Sequence, residues 1–129
     1  MPRAAPSDFV AHALDLMRAW ARVDARAMFG GWGLYRDGRM LALVADEVLY
    51  LKVDAQTAAR FAAAGSAPFV YSGKSRTITM SYWRAPEECL ETPAAMHAWC
   101  ELAWSAVLRA PAPRKKASAQ RRRSARTKS

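Results

Sequence analysis

The sequence predicts a two-layer α+β domain over residues 1–110, an antiparallel sheet carrying helices, followed by a disordered basic tail over 111–129. Three observations predict it. Short apolar segments with a period of two alternate with segments of helical period. Turn-forming pairs join neighbouring strands too closely for parallel crossovers. From Pro111 onward no apolar residue is larger than Ala. The expected order is helix, three strands, helix, two strands, helix.

Residues 7–21 read as an amphipathic helix. Ser7 and Asp8 supply N-cap chemistry, and Phe9, Ala13, Leu16, Met17 and Trp20 recur at helical spacing. Gly30, Gly31 and Gly33 break that period and suit a turn into a strand. Asp37-Gly38 lies between WGLYR and RMLALVA, where a two-residue type I′ turn needs positive φ at both positions. Asp46-Glu47 makes a second reversal before VLYLKV, in which Leu49, Leu51 and Val53 share one face. Asp54 then caps a second helix through Ala64, with Ala58, Phe61 and Ala62 inward, and Gly65 is placed to end it in the left-handed conformation.

FVYSG and SRTITMSYW read as another hairpin, with Ile78, Met80 and Tyr82 on a dry face. The buried set is expected to include Leu49, Leu51, Ile78 and Met80. Pro86 opens a short helical turn. Thr92-Pro93 forms an N-cap and first-turn pair for the last helix, where Met96, Trp99, Cys100, Ala103, Val107 and Leu108 repeat at steps of three and four.

Charge divides the chain in two. Residues 1–109 hold 12 Lys/Arg against 11 Asp/Glu, whereas residues 110–129 hold 8 Lys/Arg and no acid. The folded part is therefore nearly neutral, and the net charge of +9 describes the tail. With 15 Arg, 5 Lys, one Ile and no Asn, the composition reads as GC-rich bacterial coding. No apolar run reaches the ~18 residues of a spanning helix, and MPRAAPSDFV has no apolar core of a secretory signal. A cytoplasmic protein without membrane contact is expected, with Cys89 and Cys100 as reduced thiols.

RAMFGGWGLYRDGRMLALVADEVLYLKVD, followed by AGSAPFVY and MSYWRAPEE, resembles the TfoX N-terminal domain family, named for regulators of competence genes. The ordered pattern MFGG-x-G-LY-x-DG-x-M with LYLK-x-D downstream carries the likeness, which covers residues 8–109. It implies an α+β fold in the order above and a regulatory role in competence. Members that run longer add a domain similar to helix-hairpin-helix modules, where this chain carries its basic tail.

No motif supports enzyme chemistry, so no catalytic or cofactor-binding residue is expected. Gly30-Gly31-Trp32-Gly33 is followed by a strand and lacks the GK[ST] of a phosphate loop, so it reads as turn and packing. Cys89, His97 and Cys100, with His12 as a fourth donor, lack zinc-site spacing, and no metal is expected. Glu87, Glu88 and Glu91 read as acids complementing a helix N-terminus. Trp83 beside Arg84 reads first as a half-buried strand end and second as an exposed stacking residue.

The tail is where function is expected. Arg114, Lys115, Lys116, Arg121, Arg122, Arg123, Arg126 and Lys128 alternate with small and polar residues, with no aromatic among them. Such a segment binds phosphate backbones by counterion release and carries little sequence preference. The expected function is a non-enzymatic accessory or regulatory protein, holding nucleic acid through the tail and an unidentified protein through the folded domain. The alternatives are an interaction module with an incidental tail, and an enzyme whose site is assembled from distant residues.

Overall fold

The computed structural model describes residues 7–28, 31–72 and 77–111, with the backbone alone described at 71–72 and 77–80. Helix α1 (Asp8–Arg18) begins on Ser7, whose hydroxyl accepts from the Val10 amide at 3.2 Å. Four strands follow in an antiparallel meander: β1 (Asp24–Met28), β2 (Gly31–Arg36), β3 (Arg39–Ala45) and β4 (Val48–Lys52). Helix α2 (Ala58–Ala63) leads to β5 (Pro68–Ser72) and β6 (Thr77–Arg84). A 3₁₀ turn (Glu87–Leu90) precedes α3 (Pro93–Arg109), which starts on Thr92 accepting from the Ala95 amide at 3.1 Å.

The sheet order is β1-β2-β3-β4-β6-β5, so β6 and not β5 lies beside β4. Strand β1 was not anticipated; three strands were expected before α2. DARAM has no apolar alternation, and three of its five residues are exposed. It is an edge strand held by pairing with β2 rather than by a buried face of its own.

The turn chemistry follows expectation. Asp37 and Gly38 have φ of 51° and 77°, and Asp46 and Glu47 have 52° and 60°, the two-residue reversals that match strand twist. Gly65 at φ 84° ends α2, with the Ser66 amide donating to the Phe61 carbonyl and Gly65 to that of Ala62, both at 2.9 Å. Gly31 is required for a different reason. A Cβ there would collide with the Val44 carbonyl oxygen, so β2 and β3 approach as closely as a bare backbone allows.

All helices among the described residues cover one face of the sheet. Val10, Leu14 and Met17 of α1, Phe61 of α2, Cys89 of the 3₁₀ turn, and Met96, Cys100 and Ala103 of α3 form one cluster with Leu34, Leu41, Ala42, Leu49 and Leu51. A bulge between Leu34 and Tyr35 adds Leu41 to β3, so that Leu41 and Ala42 are both fully buried. All five tryptophans are half-buried against this core, Trp83 among them. Phe61 packs edge-on against Trp83 at 6.5 Å and Trp99 at 4.9 Å, joining α2, β6 and α3.

Leu49 and Leu51 are buried as expected, while the side chains of Ile78 and Met80 lie outside the described residues. Two helical positions differ from expectation. Ala62 and Leu108 are exposed, because they lie on the outer sides of α2 and α3 while their neighbours Phe61 and Val107 turn into the core.

Candidate functional site

Strand register assigns the two faces. Ala25, Leu34, Ala42, Leu51 and Trp83 lie in one cross-strand row under the helices. The neighbouring row, Arg26, Gly33, Leu43, Tyr50 and Arg84, therefore faces the other way, as do Tyr35, Met40, Lys52 and Tyr82. No helix among the described residues covers this second face. It nonetheless carries apolar mass: Leu43 and Tyr82 are only 7% and 8% exposed and belong to no part of the helix-side cluster.

Local packing builds this face from three pieces. Gly33 has no side chain, and Met28, Met40 and Tyr35 fold over the space it leaves. Arg26 lies over the Tyr35 ring at 4.7 Å. Tyr50 and Phe69 pair across β4 and β5 with ring centroids 4.7 Å apart and planes at 53°. Tyr82 crosses toward β3, its hydroxyl donating to the Met40 carbonyl at 3.5 Å, and Lys52 lies 5.3 Å from its ring centre. Lys52 also donates to the Ser81 hydroxyl at 2.8 Å.

The face is mostly basic, with one acid, Asp24 of β1, which pairs in register with Tyr35. Strands β2 to β6 contain no Asp or Glu, and the eleven acids sit in β1, the helices, the caps and the turns. In β1, Asp24 lies 3.9 Å from Arg22 at the sheet's rim.

At one corner, Arg39, Met40, Lys52, Tyr82, Val107, Ala110 and Pro111 line a cleft of 210 Å³. Arg39 donates to the carbonyls of Val107 at 2.8 Å and Ala110 at 3.1 Å, satisfying the end of α3. Arg109 forks onto Asp54, Nε to Oδ2 at 2.7 Å and Nη2 to Oδ1 at 3.0 Å. The Arg109 hydrogen bond holds the Asp54 carboxyl down at about 2, aided by the Gln56 and Thr57 amides. Two arginines thus fix the point from which the basic segment leaves.

The cleft lining holds no carboxylate, thiol or imidazole, and burial pushes the Tyr82 phenol up to about 12. Its polar groups are two cations and a neutral hydroxyl, which suit an anion and offer no proton acceptor near neutrality.

The other weighed residues do not assemble into one site. Cys89 and Cys100 are fully buried, and burial raises both thiols, Cys89 to about 12. His97 points outward to Glu101 at 3.4 Å, and His12 meets the Leu90 carbonyl at 2.8 Å. Among the described residues no three His, Cys, Asp or Glu side chains come together as metal donors. Glu88 accepts from the Trp99 indole at 2.6 Å and Glu101 from that of Trp20 at 2.7 Å, so two acids serve the tryptophans.

The eight tail residues Arg114, Lys115, Lys116, Arg121, Arg122, Arg123, Arg126 and Lys128 lie outside the described residues, as do Lys74 and Arg76. Arg84 is exposed at the end of β6. Sequence reading missed Arg39, Lys52 and Tyr82 as a group. The signal for Lys52 was present, a cation in an otherwise apolar strand. For Arg39 there was none, because its partners lie 68 and 71 residues away.

Fold and site define a two-layer α+β domain with one sheet face packed by helices and the other left aromatic and basic. A model of the TfoX N-terminal domain matches residues 15–107, and the chain belongs to that family. A relative, the DNA transformation protein TfoX1 of Aliivibrio fischeri, is 30% identical over 82 residues. That match takes in 64% of this chain and 39% of the relative, so the chain spans about two-fifths of its length. No helix among the described residues is long and apolar enough to cross a membrane.

Proposed function

We propose that this chain is a non-enzymatic accessory or regulatory protein of cytoplasmic DNA transactions, of the competence type that the family is named for. Its basic segment holds nucleic acid, and its folded domain meets a protein partner. The observation that carries this reading is the partition of charge: 8 Lys/Arg and no acid over residues 110–129, beside a domain whose charges nearly cancel. A segment of this composition neutralises phosphates and releases their counterions without reading bases. Two further points support it. The named relative acts in DNA transformation, and the cleft where the segment begins carries Arg39 and Lys52 with no acid to compete for them.

Salt dependence tests it. Each neutralised phosphate contributes about 0.9 to the slope of log K against log salt, so eight cations set a ceiling near ~7. A segment engaging about half of them gives a slope of roughly 3 to 4 on a duplex. Replacing the eight tail cations by Ser in the full chain should remove most of that slope and leave the melting temperature unchanged. Mixed-sequence DNA should compete as well as any chosen site. Equal affinity and equal salt slope after that replacement would contradict the reading.

A further inference from the structure

We propose that the face of the sheet away from the helices is a binding site for single-stranded nucleic acid, with bases stacking on Tyr35, Tyr50 and Phe69 and phosphates met by Arg26, Lys52 and Arg84. This goes beyond the tail reading, since it places a site on the folded domain and selects single strands.

The two aromatic platforms are separate. Tyr35 lies on β2 with Arg26 above it, and the Tyr50–Phe69 pair lies on β4 and β5. Strands β2 and β4 stand two spacings apart, about 10 Å, which suits a run of bases rather than one. All three rings are only half-buried, so part of each remains accessible. Stacking on aromatic side chains needs bases out of the duplex, and it tolerates any sequence because every base has a π face.

Charge selects the occupant. Arg26 and Arg84 are exposed and Lys52 half-exposed, against one acid on this face, Asp24 at the rim, which lies 3.9 Å from Arg22. Aromatic residues, Met and Arg are common at protein interfaces too, but Lys is depleted there, and Lys52 stands among the rings of this face. Here cations are interleaved with the rings across the middle of the sheet: Arg84 pairs in register with Tyr50, and Lys52 with Tyr82. Lys52 and Tyr82 also line the corner cleft from which the basic segment leaves. A strand lying on the face would therefore run toward further positive charge.

The test is anisotropy with a labelled 20-mer oligothymidylate and a duplex of equal length, using the full chain and the full chain with its eight tail cations replaced by Ser. The tail-neutral chain should still prefer the single strand, by about tenfold or more, and Tyr35→Leu and Phe69→Leu should each weaken it roughly tenfold. Leucine keeps apolar bulk and removes the ring. Should either variant fold poorly, Arg26→Ala with Arg84→Ala decides, since both side chains are exposed; a loss of affinity and a shallower salt slope are expected. Equal affinity for duplex and single strand, no binding by the tail-neutral chain, or unchanged affinity in these variants would each overturn the proposal. If the variants instead lost a protein partner while keeping the single strand, the face would belong to that protein and the proposal would fail. Failure of the tail reading is distinct: it appears as an unchanged duplex salt slope in the tail-neutral chain.

Discussion

The two faces of this sheet are built from the same strands and made for different ends. Under the helices, Leu34, Leu49 and Leu51 meet Val10, Met17, Phe61 and Met96, all at 2% exposure or less. On the other side, Leu43 and Tyr82 are buried outside the helix-side cluster, among half-exposed rings, methionines and cations, with the end of α3 bordering Tyr82 at one corner. The first face contributes stability because complete burial of apolar side chains is the main favourable term in folding. The second retains rings and charges that would be better buried or absent if stability alone were at issue. Burial in an antiparallel sheet needs one face only, which leaves the other available for binding.

Truncation at matched positions should separate the faces most sharply. Leu51→Ala is expected to cost about 2–5 kcal/mol in chemical denaturation. Leu43→Ala, beside it on β3 but facing the other way, should cost less, about 1–2 kcal/mol, because no helix packs over the space it leaves. Equal costs would mean that the open face is a second core, and the comparison would break.

A substitution belonging to neither face calibrates the pair. Glu47 holds a φ of 60° in the β3–β4 turn, where an L side chain is strained. Glu47→Gly should raise stability by about 0.5–1 kcal/mol without altering nucleic-acid binding. A loss of stability would show that the Glu47 side chain makes a contact that outweighs its backbone strain.

The smallest effect expected is at the corner joining α3 to the sheet. The Asp54 carboxyl titrates at about 2 in the fold against 3.8 ordinarily. A lowered folded value means that its contribution is fully present above pH 4 and lost as the pH falls toward 2. The melting-temperature gap between the parent and Asp54→Asn should therefore be widest near neutrality and close between pH 4 and pH 2. A gap independent of pH would place the effect in packing rather than in the ion pair with Arg109.

Local chemistry explains what could be read in advance. Ser7, Thr92, Asp37-Gly38 and Gly65 act within a few residues of themselves, so their caps and turns are written in adjacent sequence. Strand β1 was hidden because an edge strand needs partners more than pattern. The alternation in TITMSYW set Tyr82 on a dry face, and Tyr82 is buried, but Trp83 is the residue that fills the helix-side core against Phe61. Both faces of β6 are apolar at that point, and period alone cannot rank them. The corner cleft was illegible because Arg39 reaches carbonyls at the far end of the chain, a contact that only the closed topology creates.

The methionines offer the most direct test of the difference between the faces. Met28 and Met40 lie on the open face around Gly33, while Met17 and Met96 are fully buried under the helices. With methyl-labelled methionine, a titration with oligothymidylate followed by NMR reads both faces in one spectrum. The expected result is saturable movement of the Met28 and Met40 methyl signals, with those of Met17 and Met96 unmoved. Saturation of binding with Met28 and Met40 silent, or with all four moving alike, would contradict the account.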